Sequence, residues 1–517
     1  MRRVRMRIVA SLMVLVAAGV GAWQLLPQER AEGKTVTVGT TDAVTSLDPA
    51  GAYDAGSWAL FSNVFQTLLT FDPGGTKPVP DAAESCRFTG GGLRTYRCTL
   101  RADLRFPSGR RMTGTDVKFS FDRVRKIDAK VGPASLFDTL GSIDASGRTV
   151  TFHLSSPDAT FPFKVATGAG SLVDRNVYPA DALRGGDSVD GTGPYTLTSY
   201  TPGSKAVLAP NSRYRGPAKV PAHSTVLRYF KDSAALQSAW EQRAVDVAAR
   251  QLPPGPLAKL STSDPKQRLT EVDGAETRNL VLNVREGKPL HDRRVRQALA
   301  SVVDRDELVE SVYQGTVDSL FSVVPRGITG HTTSFFDAYP KRDVARARKL
   351  LREAGVATPV RFEFAYSRGA ASKAEAAEIK RQLDGTKLFS VTTTYYDWEK
   401  FQARYTAGEL DAYAVGWLPD FPDPDTFTAQ LVRTGSGMHN GYSNKRVDAL
   451  IVASQQYEER SRALRDLRTL QELVARDVPL IPLWQRKEYV LSIEDITGGQ
   501  YLSDGTGVFR LWSLDWI

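Results

Sequence analysis

Alternating or β-rich runs predict strands at 35–40, 149–154, 195–200, 205–209, 279–284, 360–366 and 389–396. Apolar stripes at helical spacing predict helices between them. Trp58, Phe61, Val64, Phe65 and Leu68 share one face over 57–69, ahead of the turn residues Asp72-Pro-Gly-Gly75. Val117, Phe121 and Val124 form the stripe of a helix opening at Thr113, where Thr113 and Asp116 resemble a capping box. A helix runs into Val245-Asp-Val-Ala248 within 234–248. Asp292 caps a helix over 292–303 with Val295, Ala298, Leu299 and Val302 inward, and a second helix opens with Asp304 and Glu307 and ends near Gly315. An Arg-rich amphipathic helix at 343–354 stops at Gly355, Ser372 and Glu375 cap a helix to about Leu383, and two more lie near 444–456 and 460–475. This alternation of strand and helix implies an α/β lobe with a partly parallel sheet.

One stretch departs from both periods. Residues 411–427 begin as a buried strand, with small Ala412, Ala414 and Gly416 beside Tyr413 and Val415. The chain then enters a loop holding Pro419, Pro422 and Pro424 with Asp420, Asp423 and Asp425, between Trp417 and Phe427. Each proline fixes its own φ and restricts the residue before it, so the loop is stiff. Trp417 beside Asp420 offers a flat apolar wall and a fixed negative charge, which suits a ligand with a cationic end. A rigid acidic surface turn is the alternative, and both stand on this stretch alone.

At 517 residues the chain is too long for one core, and two or three lobes are expected. The net charge is +9, but residues 1–33 hold five Arg against two Glu, which leaves six positive charges spread over the remainder. That surplus is dilute and no basic run follows, which argues against a nucleic-acid partner. The N-terminus reads as a targeting segment: Arg2, Arg3, Arg5 and Arg7, then an uncharged apolar run from Ile8 to Ala22. Val20-Gly-Ala22 offers small residues for cleavage, whereas Ile8 to Leu26 is long enough to span a membrane as a signal anchor. Either outcome exports the body of the chain, to the outer face of the cytoplasmic membrane or into secreted or periplasmic space. The two cysteines fit that compartment. Cys86 and Cys98 flank Gly90-Gly-Gly92, and a hairpin there puts Cys86 opposite Cys98 and Phe88 opposite Tyr96, so a disulfide is expected.

Leu47-Asp-Pro49 with Asn63-Val-Phe-Gln-Thr-Leu-Leu69 opens a series of motifs. Pro80-Asp-Ala-Ala-Glu-Ser85, Phe106-Pro-Ser-Gly109, Thr113-Gly-Thr-Asp-Val-Lys-Phe-Ser-Phe121, Gly191-Thr-Gly-Pro-Tyr195 and Asn211-Ser-Arg-Tyr-Arg-Gly216 follow in order. Leu290-His-Asp-Arg-Arg-Val-Arg-Gln-Ala-Leu299 and Val478-Pro-Leu-Ile-Pro-Leu-Trp484 continue the series. Together they resemble the family 5 extracellular solute-binding proteins of ABC transporters, the oligopeptide- and dipeptide-binding group, over about 34–517.

The resemblance implies an α/β, two-lobed periplasmic-binding-protein-like fold of type II with an extra α+β subdomain on the first lobe. On that analogy 1–33 is the export segment, and lobe I takes 34–77, 191–277 and 495–517. The extra subdomain is then 78–190 and lobe II is 278–494. A peptide would bind between the lobes, and a membrane permease with its ATPases would read the closed, monomeric receptor. In peptide binders of this family the Asp of Gly-Trp-x-x-Asp pairs with the ligand's α-amino group, which here falls on Asp420 in Gly416-Trp417-Leu-Pro-Asp420. Trp417 would line the neighbouring pocket, Gly416 in the motif and Phe421 just after it are ligand-binding candidates with it, and Tyr53, Asp54 and Ser57 are further ligand candidates or plain residues at a helix start. Lys400 and Arg404 are candidates for the ligand carboxylate. Two departures stand out. No Cys follows the apolar segment, so the lipid anchor common in Gram-positive members is missing, and Phe421 replaces the more usual Tyr after Asp420.

Enzymatic chemistry finds little support. His153, His223, His291, His331 and His439 make no His-Glu-x-x-His pattern, and no Gly-x-Ser-x-Gly occurs. Ser263-Asp-Pro-Lys266 matches Ser-x-x-Lys, but Pro265 opposes the helical turn that pattern needs. The three acids of 420–425 lack the twelve-residue calcium loop and its final Glu. No enzyme, metal or cofactor is therefore expected. A sugar, a metal chelate or a sensed signal remains the alternative ligand for the same fold.

Overall fold

The computed structural model describes residues 34–220, 222–503 and 505–517. The export segment expected at 1–33 lies outside the described residues. An eleven-stranded sheet runs through the molecule. Its strands are β1 (Val36–Thr40), β2 (Tyr195–Thr201), β3 (Lys205–Pro210), β4 (Thr225–Tyr229), β5 (Val247–Ala249), β6 (Gln267–Leu282), β7 (Val317–Ser319), β8 (Val360–Tyr366), β9 (Phe389–Tyr395), β10 (Ala412–Trp417) and β11 (Leu480–Ile493). The spatial order is β9-β8-β10-β6-β11-β5-β1-β4-β3-β2, with β7 paired to β11 beside that path. β8 lies parallel to β9 and β10, and β1 lies parallel to β4 and β5. Each lobe therefore has a parallel centre, and antiparallel strands connect the two.

β6 and β11 make that connection. They pair antiparallel from Gln267↔Ile493 to Val281↔Leu480, with an irregularity between Asp273 and Thr277. The strand expected at 279–284 is only the end of β6, which begins twelve residues earlier at Gln267. Leu280, Val281 and Leu282 are fully buried, whereas 267–273 carries Gln267, Arg268, Glu271 and Asp273 and is partly exposed. The early half lacks the apolar pattern because it is held by its partner strand.

The two largest apolar cores among the described residues belong one to each lobe. One gathers Val36, Val38, Trp58, Phe61, Phe121 and Phe152, and the other gathers Leu280, Val281, Leu299, Phe364, Tyr413 and Leu480. The first lobe carries a four-stranded sheet of Ala83–Phe88, Thr95–Leu100, Thr149–Leu154 and Leu140–Ser146, in that spatial order. The helix Gly114–Ile127 covers it, opened by the Thr113/Asp116 capping box, and Phe121 meets Phe152 edge to face at 5.1 Å. Cys86 pairs with Cys98 and Phe88 with Tyr96 in register, and the two cysteines form a disulfide.

Asp48 of Leu47-Asp-Pro49 ties this subdomain to the start of the lobe. It takes Arg123 Nη1 at 2.6 Å and Nη2 at 2.5 Å, both side chains being buried. A bidentate pair of this kind compensates the cost of removing both charges from water.

Three local expectations are corrected. The helix expected at 57–69 spans Ala55–Val64 only. Phe65 turns extended, the Gly193 amide caps the Val64 carbonyl at 3.0 Å, and Leu69–Phe71 forms a short strand. A Cβ on Gly191 would sit 1.8 Å from that same carbonyl, so the glycine turn at 191–193 docks against the helix end and stops it. The helix at 292–303 ends at Ala300. Ser372 and Glu375 do not cap their helix: Ala371 is the cap and makes no side-chain bond. Glu375 is buried instead, and accepts from Arg278 Nε at 2.8 Å, Tyr313 at 2.7 Å and Trp484 at 2.8 Å. A helix-start signal in the sequence thus serves a tertiary polar contact.

Candidate ligand site between the lobes

β10 is an interior strand paired on one edge with β8 and on the other with β6, and Ala412, Tyr413 and Ala414 are buried. At its end a Cβ on Gly416 would meet Glu276 Oε1 at 3.0 Å, so a side chain there would press on the carboxylate that Arg486 holds. The proline-bearing loop follows, and the helix Asp425–Val432 ends it.

The three acids of this loop do different work. Asp423 takes Arg460 through Nε at 2.6 Å and Nη2 at 2.9 Å, and also accepts the Asp425 amide at 2.9 Å. Asp425 accepts Gln455 Nε2 at 2.9 Å. Asp420 accepts the Tyr53 hydroxyl at 2.8 Å and Thr426 Oγ1 at 3.4 Å. The partners of its carboxylate among the described residues are thus two neutral hydroxyls. Burial pushes the Asp420 carboxyl up to about 6, against the pull of Tyr53, Thr426 and Lys164. Burial also pushes Asp425 up to about 6, with Lys164 pulling the other way.

Tyr53 reaches Asp420 from the first lobe, so this bond crosses the cleft. The neighbouring candidates are absorbed locally: Asp54 caps the helix at Ser57 N, 2.8 Å, and takes Ser57 Oγ at 2.9 Å. Phe421 is 2% exposed and packs tilted against Phe163 at 5.8 Å, which meets Phe71 at 6.3 Å. The ring expected near the ligand thus packs between the lobes, against Phe163. The Ala159 amide donates to the Gln455 carbonyl at 2.8 Å, another bond between lobes. Lys164, buried and paired with Asp158 at 2.8 Å, faces Asp425 across the same seam.

Deeper in the cleft, Arg250 Nε lies 3.2 Å from Asp42 Oδ2 and Arg486 Nε lies 2.6 Å from Glu276 Oε2. Burial pushes the Glu276 carboxyl up, and Arg486 outweighs it so that the net shift is downward. Arg250 and Gln251 both take positive φ, +71° and +50°, an uncommon pair for bulky residues. Trp417 Nε1, Arg250 Nη1 and Thr41 Oγ1 are buried without a hydrogen-bond partner. Lys400 and Arg404 lie elsewhere, over the Tyr396 ring at 5.5 and 4.9 Å, and Arg404 also pairs with Glu409 at 2.9 Å. Arg250, Glu276 and Arg486 carry no local motif, and only the pairing of β5, β6 and β11 brings the end of β5 beside Glu276 and Arg486.

The profile described as bacterial extracellular solute-binding proteins, family 5, middle region, matches residues 77–438, more than half of the chain. The chain belongs to the family 5 extracellular solute-binding proteins. This family 5 protein is 25% identical over 483 residues to the probable D,D-dipeptide-binding periplasmic protein DdpA of Escherichia coli K12, covering 90% of each chain. It is 28% identical over 487 residues to heme-binding protein A of Haemophilus influenzae, covering 86% of each. Its fold matches the periplasmic binding protein DppA of Helicobacter pylori, solved with the peptide STSA, at a TM-score of 0.81 and 20% identity, over 94% of this chain and 98% of that one. The two-lobed type II architecture is therefore shared, with Asp420 and Tyr53 on opposite sides of its cleft.

Proposed function

We propose that this chain is the extracytoplasmic receptor of an ABC importer and captures short peptides by their free α-ammonium group. One observation carries the reading: Asp420 is a half-buried carboxylate at the seam of two lobes whose carboxylate partners among the described residues are neutral hydroxyls. A cation delivered there gains a charge-assisted hydrogen bond with little competition from water. Trp417 Nε1, Arg250 Nη1 and Thr41 Oγ1 are polar groups that ligand amides or a carboxylate would satisfy. Gly416 lets a ligand backbone approach β10. The relatives named for dipeptide binding support the peptide class.

In this reading the ligand bridges both lobes, and closure is driven by contacts it makes to each. A membrane permease with its ATPases then reads the closed form, and the receptor acts as an exported monomer that turns nothing over. Among the described residues no helix is long and apolar enough to cross a membrane, so anchoring rests on residues 1–33. Mass spectrometry of the native protein separates a retained signal anchor from a cleaved one. The second reading, a non-peptide solute, is favoured by the heme-binding relative. Thermal shift against di- to hexapeptides beside sugars, heme and metal chelates decides between them. Stabilisation by peptides is expected; stabilisation by another class alone overturns the peptide reading.

A further inference from the structure

A cavity of about 330 Å³ begins at Asp420 and runs into the first lobe. Trp58, Phe61 and Phe65 form one wall, and Phe71 and Trp512 form another. The wall is tied to the carboxylate. Trp58 Nε1 donates to the Ala52 carbonyl at 3.1 Å, and its ring lies 5.4 Å from that of Tyr53, whose hydroxyl holds Asp420. A Cβ on Gly168 would lie 2.5 Å from Trp58 Cδ1, so the ring stands where it does because that position is glycine. Apart from Asp420, the charged groups on the lining, Asp72 and Asp81 against Lys219 and Arg510, balance in sign. Asp81 is occupied by Gln66 Nε2 at 2.8 Å and the Thr67 amide at 3.2 Å. Beyond Asp420 the lining therefore favours neither sign of charge, and its large side chains are mainly aromatic: Trp58, Phe61, Phe65, Phe71 and Trp512.

We propose that this cavity receives the side chain of the ligand's first residue, so that the receptor selects peptides with a large apolar, above all aromatic, N-terminal residue. The inference rests on the reading of Asp420 as the ammonium anchor. A first side chain leaves the carbon that bears the ammonium, so space bordering the anchor is space that side chain enters. The aromatic walls all come from the first lobe, and Asp420 from the second. The side chain therefore enters a pocket that exists before closure, and Asp420 follows onto the ammonium as the lobes meet. Burying a full Phe side chain corresponds to a gain of about 10- to 100-fold in affinity over Gly.

The test is calorimetric titration of the full-length exported protein with X-Ala-Ala, where X is Gly, Ala, Leu, Phe or Trp, together with N-acetyl-Phe-Ala-Ala. The expected result is a dissociation constant that falls by about 10- to 100-fold from Gly to Phe, with binding lost on acetylation. Tight, acetylation-sensitive binding that is flat across X overturns the cavity assignment and leaves the anchor standing. No binding by any of these peptides overturns the peptide reading, and the cavity assignment with it. Thr70, on the strand Leu69–Phe71, also lines the cavity. Thr70→Trp fills it and is expected to erase the Phe-over-Gly ratio, and a ratio that survives in the folded variant counts against the proposal. Should that variant fail to fold, the wild-type series decides alone.

Discussion

Tyr53 and Asp420 meet across the cleft, the phenol of the first lobe donating to the carboxylate of the second at 2.8 Å. In the proposed reading a ligand ammonium would join or displace that phenol, and the carboxylate that links the lobes would also be the capture group. Asp420→Asn keeps the shape and removes the charge. Hydrogen bonds to charged groups contribute about 1.5–3 kcal/mol, so free-amine peptides are expected to weaken roughly 10- to 150-fold. N-acetylated analogues should change little. Equal losses for both would remove Asp420 as the anchor.

The pH dependence follows from burial. Asp420 and Asp425 are both raised to about 6 from an ordinary 3.8. A raised carboxyl pKa stabilises the folded protein below the unfolded value, and that contribution is lost as pH rises through about 6. Capture of an ammonium needs the ionised form and runs the other way. Peptide affinity is expected to fall by about tenfold from pH 7 to pH 5, following the ionised fraction of Asp420. Titration calorimetry at the two pH values checks this, and Asp420→Asn should flatten the profile.

Phe421 and Phe163 close the seam without touching the anchor. Phe421→Ala removes a ring that is 2% exposed in the apolar contact between lobes. The empty protein is expected to open, read as a larger radius of gyration in solution scattering. Apparent affinity then falls by one common factor, about tenfold, for every ligand, because the competent state is less populated. A loss that depends on ligand identity would place Phe421 in the binding surface instead.

The disulfide lies in the subdomain hairpin, away from the cleft. Cys86 and Cys98 are separated by twelve residues, and opening so short a loop is expected to lower stability by about 3 kcal/mol. A urea melt of Cys86→Ser/Cys98→Ser beside wild type measures it. Peptide affinity of the folded double variant should be unchanged.

Gly507 and Arg250 are a matched pair. Gly507 has φ +82°, and a Cβ there would lie 2.1 Å from Arg250 Nη1. Gly507→Ala is expected to cost about 1–3 kcal/mol, from backbone strain and displacement of the guanidinium. In a double-mutant cycle the cost should shrink when Arg250 is already Ala, since one clash is gone. Strict additivity would separate the two residues.

Much of this protein is written locally. The Cys86/Cys98 hairpin, the Thr113 capping box and the caps Asp292 and Asp304 act within a few residues of themselves, so alternation and cap chemistry reveal them. The ordered motifs from Leu47-Asp-Pro49 to Val478–Trp484 identify the family, and Gly416-Trp-Leu-Pro-Asp420 marks the loop that carries the anchor candidate. The division of labour among the three acids was not legible there, since Arg460, Gln455 and Tyr53, which sort them, lie 37, 30 and 367 residues away. The first half of β6 was hidden for a related reason, its polar residues being held by β11 rather than by a pattern of their own. Phe421 read as a lost hydroxyl near a ligand, and packing made it part of the seam between lobes. Helix caps and hairpins depend on near neighbours, whereas a cleft is defined by groups that meet only after the chain has crossed twice between two lobes.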